Sequence, residues 1–308
     1  MSSVHDPISS QIPRNDNLAF HQFFDSWLVQ QNQDLEELVG ASNDPECTPS
    51  SMHGLVMRVL DHYELYYREK SRCAHENVLP MLTPPWRSSF EDSFLWIGGW
   101  RPSMGFHLLY SKSGVQLEAR LEEVLRGFRI GDLADLTPDQ LLRINELQLR
   151  IIAEEKEVTE MYAKQQETIA GTSMVELSHE ATQKMRMRNG ADTTMLDVEV
   201  EKVVREEEKG MEGVLRAADE LRLKTLKEIV NILTPTQAVH FLTAAAELHL
   251  RVHDWGIKKD NVAAAMQQRY IQQQQQQQQQ PEENGQEAGA HHRLHHSHHQ
   301  RVENRREH

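Results

Sequence analysis

Apolar residues first fall into register at Phe20, Phe23, Phe24, Trp27, Leu28, Leu35, Leu38 and Val39, with polar Gln30 to Asp34 mostly on other faces. That spacing predicts an amphipathic helix from about Asn17 to Gly40. Residues 41 to 50, with two prolines and short polar side chains, read as a loop. A second helix is expected from about Ser51 to Asn77, with Met52, Leu55, Val56, Val59, Leu60, Tyr63, Tyr66 and Tyr67 on its apolar side. Beyond the Pro84-Pro85-Trp86 break, two further helical pieces are predicted, Phe106 to Tyr110 and Val115 to Phe128. Leu117, Leu121, Val124, Leu125 and Phe128 line one face of the latter.

The clearest start signal is Thr137-Pro138-Asp139-Gln140: an N-cap threonine, proline in the first turn, an acid beside it, and glutamine placed to bond back. A long helix to about Ala170 should follow. The device recurs at Thr234-Pro235-Thr236-Gln237, and both copies lead into a Leu-x-Leu-Arg run, at Leu147 to Arg150 and Leu248 to Arg251. So short a match suits an ancient repeat or two independently good helix starts. Between them, Thr193 to Leu233 reads as a second long helix, with Val200, Val203, Val214, Leu215, Leu221 and Ile229 among its stripe residues. Its heptad order is imperfect, which favours an intramolecular helical pair over a zipper. Gly171 to Asp192 has weak periodicity and is expected to be a mobile connector.

Three stretches carry little burial signal. Residues 1 to 16 read as a loose leader, Gln272 to Gln280 as a run that stays disordered or extends a helix only partly, and His291 to His299 as a solvated tail. A short helix is expected after Gly256 and Asp260, persisting to Tyr270, with Trp255-Gly256 as a helix stop and aromatic plug. The expected organisation is therefore all-α: a leader over 1–16, a single domain of long packed antiparallel helices over 17–260, and a low-complexity Gln- and His-rich tail over 261–308.

One segment fits neither simple pattern. In Ser93-Phe94-Leu95-Trp96-Ile97-Gly98-Gly99-Trp100-Arg101-Pro102-Ser103, large apolar side chains run into a glycine pair and an Arg-Pro stop. Phe90 to Ile97 reads as a helix end buried on most sides. The glycines then permit a positive φ or a close backbone approach where that helix finishes.

Charge and cysteine content narrow the functional classes. A formal net charge of -14 over 308 residues, with no continuous basic helix, disfavours direct DNA binding. Cys47 and Cys73, in a sequence that opens without a charged-then-apolar leader, point to a reducing compartment, nucleus or cytoplasm. No apolar run approaches the roughly 20 residues that span a bilayer. Nucleotide loops, nucleophile elbows and zinc-binding Cys clusters are missing from the sequence, so an enzyme is not expected.

His249 and His253 are the one sharp candidate for a cofactor or metal, because residues four apart share a helical face and neutral imidazole binds zinc, copper or haem iron. Two ligands fall short of the three or four that a protein metal site usually has. Neighbouring histidines on one helix also cannot take opposite axial positions of one haem. The competing reading makes both ordinary polar residues bonded to backbone or to acids such as Glu247 and Asp254. Trp27, Trp86, Trp96 and Trp100 are most simply core anchors, with a pocket for a flat apolar ligand as the alternative.

Phe23-Phe24-x-x-Trp27-Leu28, Pro85-Trp86, Ser93 to Ser103, Leu136 to Gln140 and Leu233 to Gly256, in that order, make residues 17 to 260 resemble the plant Delay of Germination (DOG) domain, which also forms the C-terminal part of TGA-type bZIP factors. The resemblance implies a free-standing, non-enzymatic regulator of seed dormancy, hormone response or development. It implies protein partners, type 2C protein phosphatases of abscisic-acid signalling or transcription factors, and a homodimer as in the TGA branch. The dormancy branch is associated with haem at a histidine pair that maps onto His249 and His253. Two further readings remain: a transcriptional regulator acting on DNA within a complex, and metal-assisted catalysis at the pair.

Overall fold

The computed structural model describes residues 14–119, 131–186 and 194–279. Helix α1 spans Arg14–Asn43 and α2 spans Pro49–Glu76, followed by single turns at Leu79–Leu82 (α3) and Ser89–Asp92 (α4) and by α5, Met104–Ala119. A 3-10 turn at Leu133–Asp135 precedes α6 (Pro138–Thr168), α7 (Thr172–Arg186), α8 (Thr194–Ile232) and α9 (Pro235–Gln279). The expected all-α class holds, and the described residues contain no strand. The chain divides into two compact units, Met1–Gly256 and Ile257–His308.

Helix starts follow the capping chemistry of the sequence. Thr137 and Gln140 form a reciprocal capping box at α6. Thr234 and Gln237 exchange the same two bonds at α9, at 3.3 and 3.0 Å. Thr48 also caps α2 ahead of Pro49, so that helix begins two residues earlier than its apolar stripe suggested.

Polar pairs fix the directions of the long helices. Trp27 with His62, and Glu37 with Arg58, run α1 antiparallel to α2. Glu64 with Lys227, Lys70 with Asp219 and His75 with Glu212 run α2 antiparallel to α8. Arg150 with Glu228 and Lys224 with Glu154 set α6 antiparallel to α8, the intramolecular pair expected from the imperfect heptads. Between them sits one core, with Phe20, Phe24 and Trp27 from α1, Val56 and Val59 from α2, and Leu215, Ala218 and Ile229 from α8. The first turns of α9 enter it through Val239, Phe241 and Leu242.

Several expectations need correction. The 171–192 connector contains α7, a helix with no fully buried residue whose Met174, Leu177 and Ala181 lie half-buried along one face. Phe106 to Tyr110 belongs to one continuous helix, Met104–Ala119, and the rest of the Val115 to Phe128 piece falls outside the described residues. The stop at Gly256 does not occur: α9 passes through it and continues into the glutamine run, as far as Gln279. Gly256 is there for packing, since a Cβ would lie 1.9 Å from Ser88 Oγ. Trp255, expected as a plug, is 59% exposed. The leader begins its helix at Arg14, and its earlier residues, like the histidine-rich end, lie outside the described residues.

Candidate functional site

The glycine-pair segment does not end a helix. Helix α4 stops at Asp92, Phe94 is exposed, and Trp96 pairs with Gly99 in a tight reversal, Trp96 N–H to Gly99 O at 2.8 Å and Gly99 N–H to Trp96 O at 3.2 Å. Both central residues have positive φ, 45° at Ile97 and 68° at Gly98, as a two-residue hairpin turn of the primed type requires. A Cβ on Gly98 would stand 2.4 Å from Met81 O, so this position needs glycine for space as well as for φ.

Buried cations hold this turn in place. Arg222 on α8 donates from Nε to Trp100 O at 2.7 Å and from one terminal nitrogen to Ile97 O at 2.9 Å and to Trp96 O. Its other terminal nitrogen bonds Asp219, and its guanidinium lies over the Trp96 ring, 5.2 Å from the centroid. Lys70 on α2 donates to Gly98 O at 2.9 Å and to Asp219 at 3.1 Å. Burial pushes Lys70 down to about 7 against the attraction of Asp219. On the far side, Glu155 of α6 accepts from Arg101 Nε at 2.5 Å and from Ser103 N–H at 2.9 Å. Three helices thus grip one loop through its backbone.

The gripped loop forms one wall of a cavity of about 390 Å³. Opposite walls come from Trp27 of α1, Tyr63 and Tyr66 of α2, and Phe241, Leu248 and His249 of α9. Its rim carries the exposed Phe94, Met104 and Leu248. The volume lies within the roughly 300–1,000 Å³ typical of small-molecule sites, and an apolar lining with few polar groups is the usual composition.

The two histidines are placed unlike each other. His249 lines the cavity with its ring 5.5 Å from that of Trp27, and burial, reinforced by the Arg87 charge, pushes it down to about 4. At neutral pH it is therefore an uncharged imidazole. His253, one turn on, is not part of the cavity wall. It meets Glu91 at 3.0 Å through Nδ1 and sets its edge against Phe24 at 5.9 Å between ring centroids. The Glu91 hydrogen bond raises His253. Burial works to raise Glu91, but bonds from His253 and from the Ser88 N–H and hydroxyl prevail and hold it down to about 2. Neither Glu247 nor Asp254 provides this anchor.

No group of three or more His, Cys, Asp or Glu with metal-site geometry occurs among the described residues. Haem is the better fit of the implied groups: His249 offers one neutral nitrogen beside an aromatic wall, while His253 keeps only Nε2 uncommitted. Trp86 is a core anchor against Phe20 and Phe24, and Trp27 and Trp100 line the cavity as the alternative reading allowed. Lys70, Asp219 and Arg222 were missed from sequence. Their signal was a charge in the core phase of an amphipathic helix, Lys70 among Tyr66, Tyr67, Cys73 and Ala74, and Arg222 among Ala218, Leu221 and Leu226.

Residues 32–111 match a family model described as seed dormancy control, DOG1. The chain is 30% identical over 250 residues to DOG1-like 2 of Arabidopsis thaliana, spanning 79% of this chain and 92% of that protein. It is 31% identical over 242 residues to Response to ABA and Salt 1 of the same plant, spanning 77% and 94% of the two. Transcription factor TGA2 of Arabidopsis thaliana is more distant, 28% identical over 242 residues that cover 78% of this chain and 62% of that protein.

Proposed function

The chain belongs to the DOG1 seed-dormancy-control family, and on that footing we propose a non-enzymatic regulator of plant dormancy or hormone signalling that works through protein partners and responds to a ligand held beside His249. The observation that carries the ligand part is a neutral, buried imidazole in the wall of an apolar cavity. Relatives named for dormancy and for response to abscisic acid and salt support the signalling part.

Haem is the cofactor this reading takes first. Bound haem supplies an iron that one imidazole nitrogen can ligate. His249 would hold the iron through an imidazole nitrogen, Trp27 would pack against the bound group, and the Glu91–His253 pair fixes the helix turn that carries His249. The test is a Soret-band titration of the full chain against His249→Ala and His253→Ala. The expected result is loss of the ligated spectrum in His249→Ala and a smaller change in His253→Ala; identical spectra in all three sink the assignment.

The proposed partners are type 2C protein phosphatases or transcription factors, with a second copy of the chain as a further candidate, in the nucleus and cytoplasm. Co-purification from plant extract identifies them, and light scattering reports the oligomeric state. The likeness to TGA2 favours a second reading, in which the protein acts on DNA within a complex. The net charge of -14 assigns the DNA contact in that complex to the partner, so a gel shift with the isolated chain should show no specific band at physiological salt.

A further inference from the structure

The charged groups around the cavity are not all paired. Three cationic side chains line it, Lys70, Arg87 and Arg222, with two carboxylates, Asp219 and Glu91. Asp219 is shared by Lys70 and Arg222, and Glu91 is taken by His253 and Ser88. Among the described residues Arg87 forms no ion pair, and its buried Nε has no hydrogen-bond partner. The buried Tyr66 hydroxyl lies against Arg87 without a hydrogen bond of good geometry. A half-buried guanidinium whose Nε is out of water and unbonded carries a desolvation cost, and supplying a carboxylate gives it charge-assisted, often bidentate bonds. The rest of the wall is aromatic and aliphatic.

We propose that the cavity binds an amphipathic carboxylic acid, its acid group on Arg87 and Tyr66 and its apolar body against Trp27, Tyr63, Trp100 and Phe241. The acid group belongs either to a free acid or to the propionates of a haem. This deepens the ligand reading above by naming the head group, yet it does not depend on iron: it stands or falls on Arg87, whereas the haem assignment stands or falls on His249.

The experiment is isothermal titration calorimetry of the full-length protein with dodecanoate and with dodecanol, which share a chain and differ in the charge of the head. A second arm uses protoporphyrin IX and its dimethyl ester. Wild type should prefer the acid over its uncharged counterpart by about tenfold to a hundredfold in at least one arm, the range of a charge-assisted hydrogen bond. Arg87→Leu should abolish that preference, and Arg87→Lys should keep part of it. Preference in the dodecanoate arm alone assigns a free acid; preference in the porphyrin arm alone assigns propionates. Equal affinity for acid and uncharged counterpart in both arms overturns the proposal, as does a preference that survives Arg87→Leu. Should Arg87→Leu fail to fold by circular dichroism, the wild-type comparison and Arg87→Lys still decide.

Discussion

Two arginines line the same cavity in opposite states. Arg222 is fully buried, and its nitrogens reach one carboxylate and three backbone carbonyls, so it is a cross-link between α8 and the Trp96–Trp100 turn. Arg87 is half-buried, follows the Pro84-Pro85-Trp86 break, and has neither ion pair nor bond at its buried Nε among the described residues. The difference separates what holds the fold from what waits on it. A satisfied buried charge loses much when its partners are removed, whereas an unsatisfied one has little to lose and gains from a ligand.

The largest expected effect follows directly. Arg222→Ala leaves Asp219 and three carbonyls short of donors and should cost roughly 3–5 kcal/mol in urea denaturation. Arg87→Leu should change the ligand-free protein by less than about 1 kcal/mol, in the stabilising direction if either. Losses of equal size at the two positions would break the comparison. Next in size is Gly98→Ala, where a Cβ meets both the 68° φ and Met81 O at 2.4 Å. Strain and overpacking together should cost roughly 2–4 kcal/mol, and a neutral result would show that the turn relaxes freely.

What could be read from the sequence divides along the same line. Helix starts and apolar stripes are local, so α2, α6 and the first turns of α9 were legible from Thr-Pro steps and spacing. The cavity was not, because its cations and carboxylates meet across sequence gaps as long as the 149 residues between Lys70 and Asp219. Gly256 shows the same limit: a helix-stop signal by composition, it is a close contact with Ser88 in space. His249 and His253 both lie on α9, one turn apart. Yet only tertiary neighbours, Arg87 and Trp27 for one and Glu91 and Phe24 for the other, give the two rings different environments.

A pH titration tests the Arg87 side at smaller scale. His249 is lowered from 6.5 to about 4, with Arg87, Glu91 and His253 as the charges it feels. Between those values the unfolded chain binds the extra proton, so this residue makes stability fall as pH drops, by at most about 1.4 kcal/mol per pH unit. His253 is raised, and its contribution is present below its unfolded value and lost as pH climbs through the folded one. His249→Phe should therefore flatten stability between pH 6.5 and 4 while leaving the alkaline side unchanged. An unchanged acid limb would mean that His249 is not desolvated.

The smallest effect calibrates the satisfied side with a node that carries no charge. The glutamines of the two capping boxes meet: Gln140 donates to Gln237 Oε1 at 2.7 Å and to Ile232 O at 3.0 Å, and Gln237 donates to Asp132 O at 3.4 Å. Each glutamine also accepts from the N–H of its own capping threonine, at 3.0 Å in both boxes. The repeated Thr-Pro-x-Gln therefore starts two helices and joins the starts to each other. Gln140→Ala and Gln237→Ala should each cost about 1–2 kcal/mol. Because either change already breaks the shared bond, the double variant should lose less than the sum by about 0.5–1 kcal/mol. Strict additivity would reduce the meeting of the boxes to proximity. A coupling of the expected size would mean that neutral bonds link distant segments in the way Arg222 does, only more weakly.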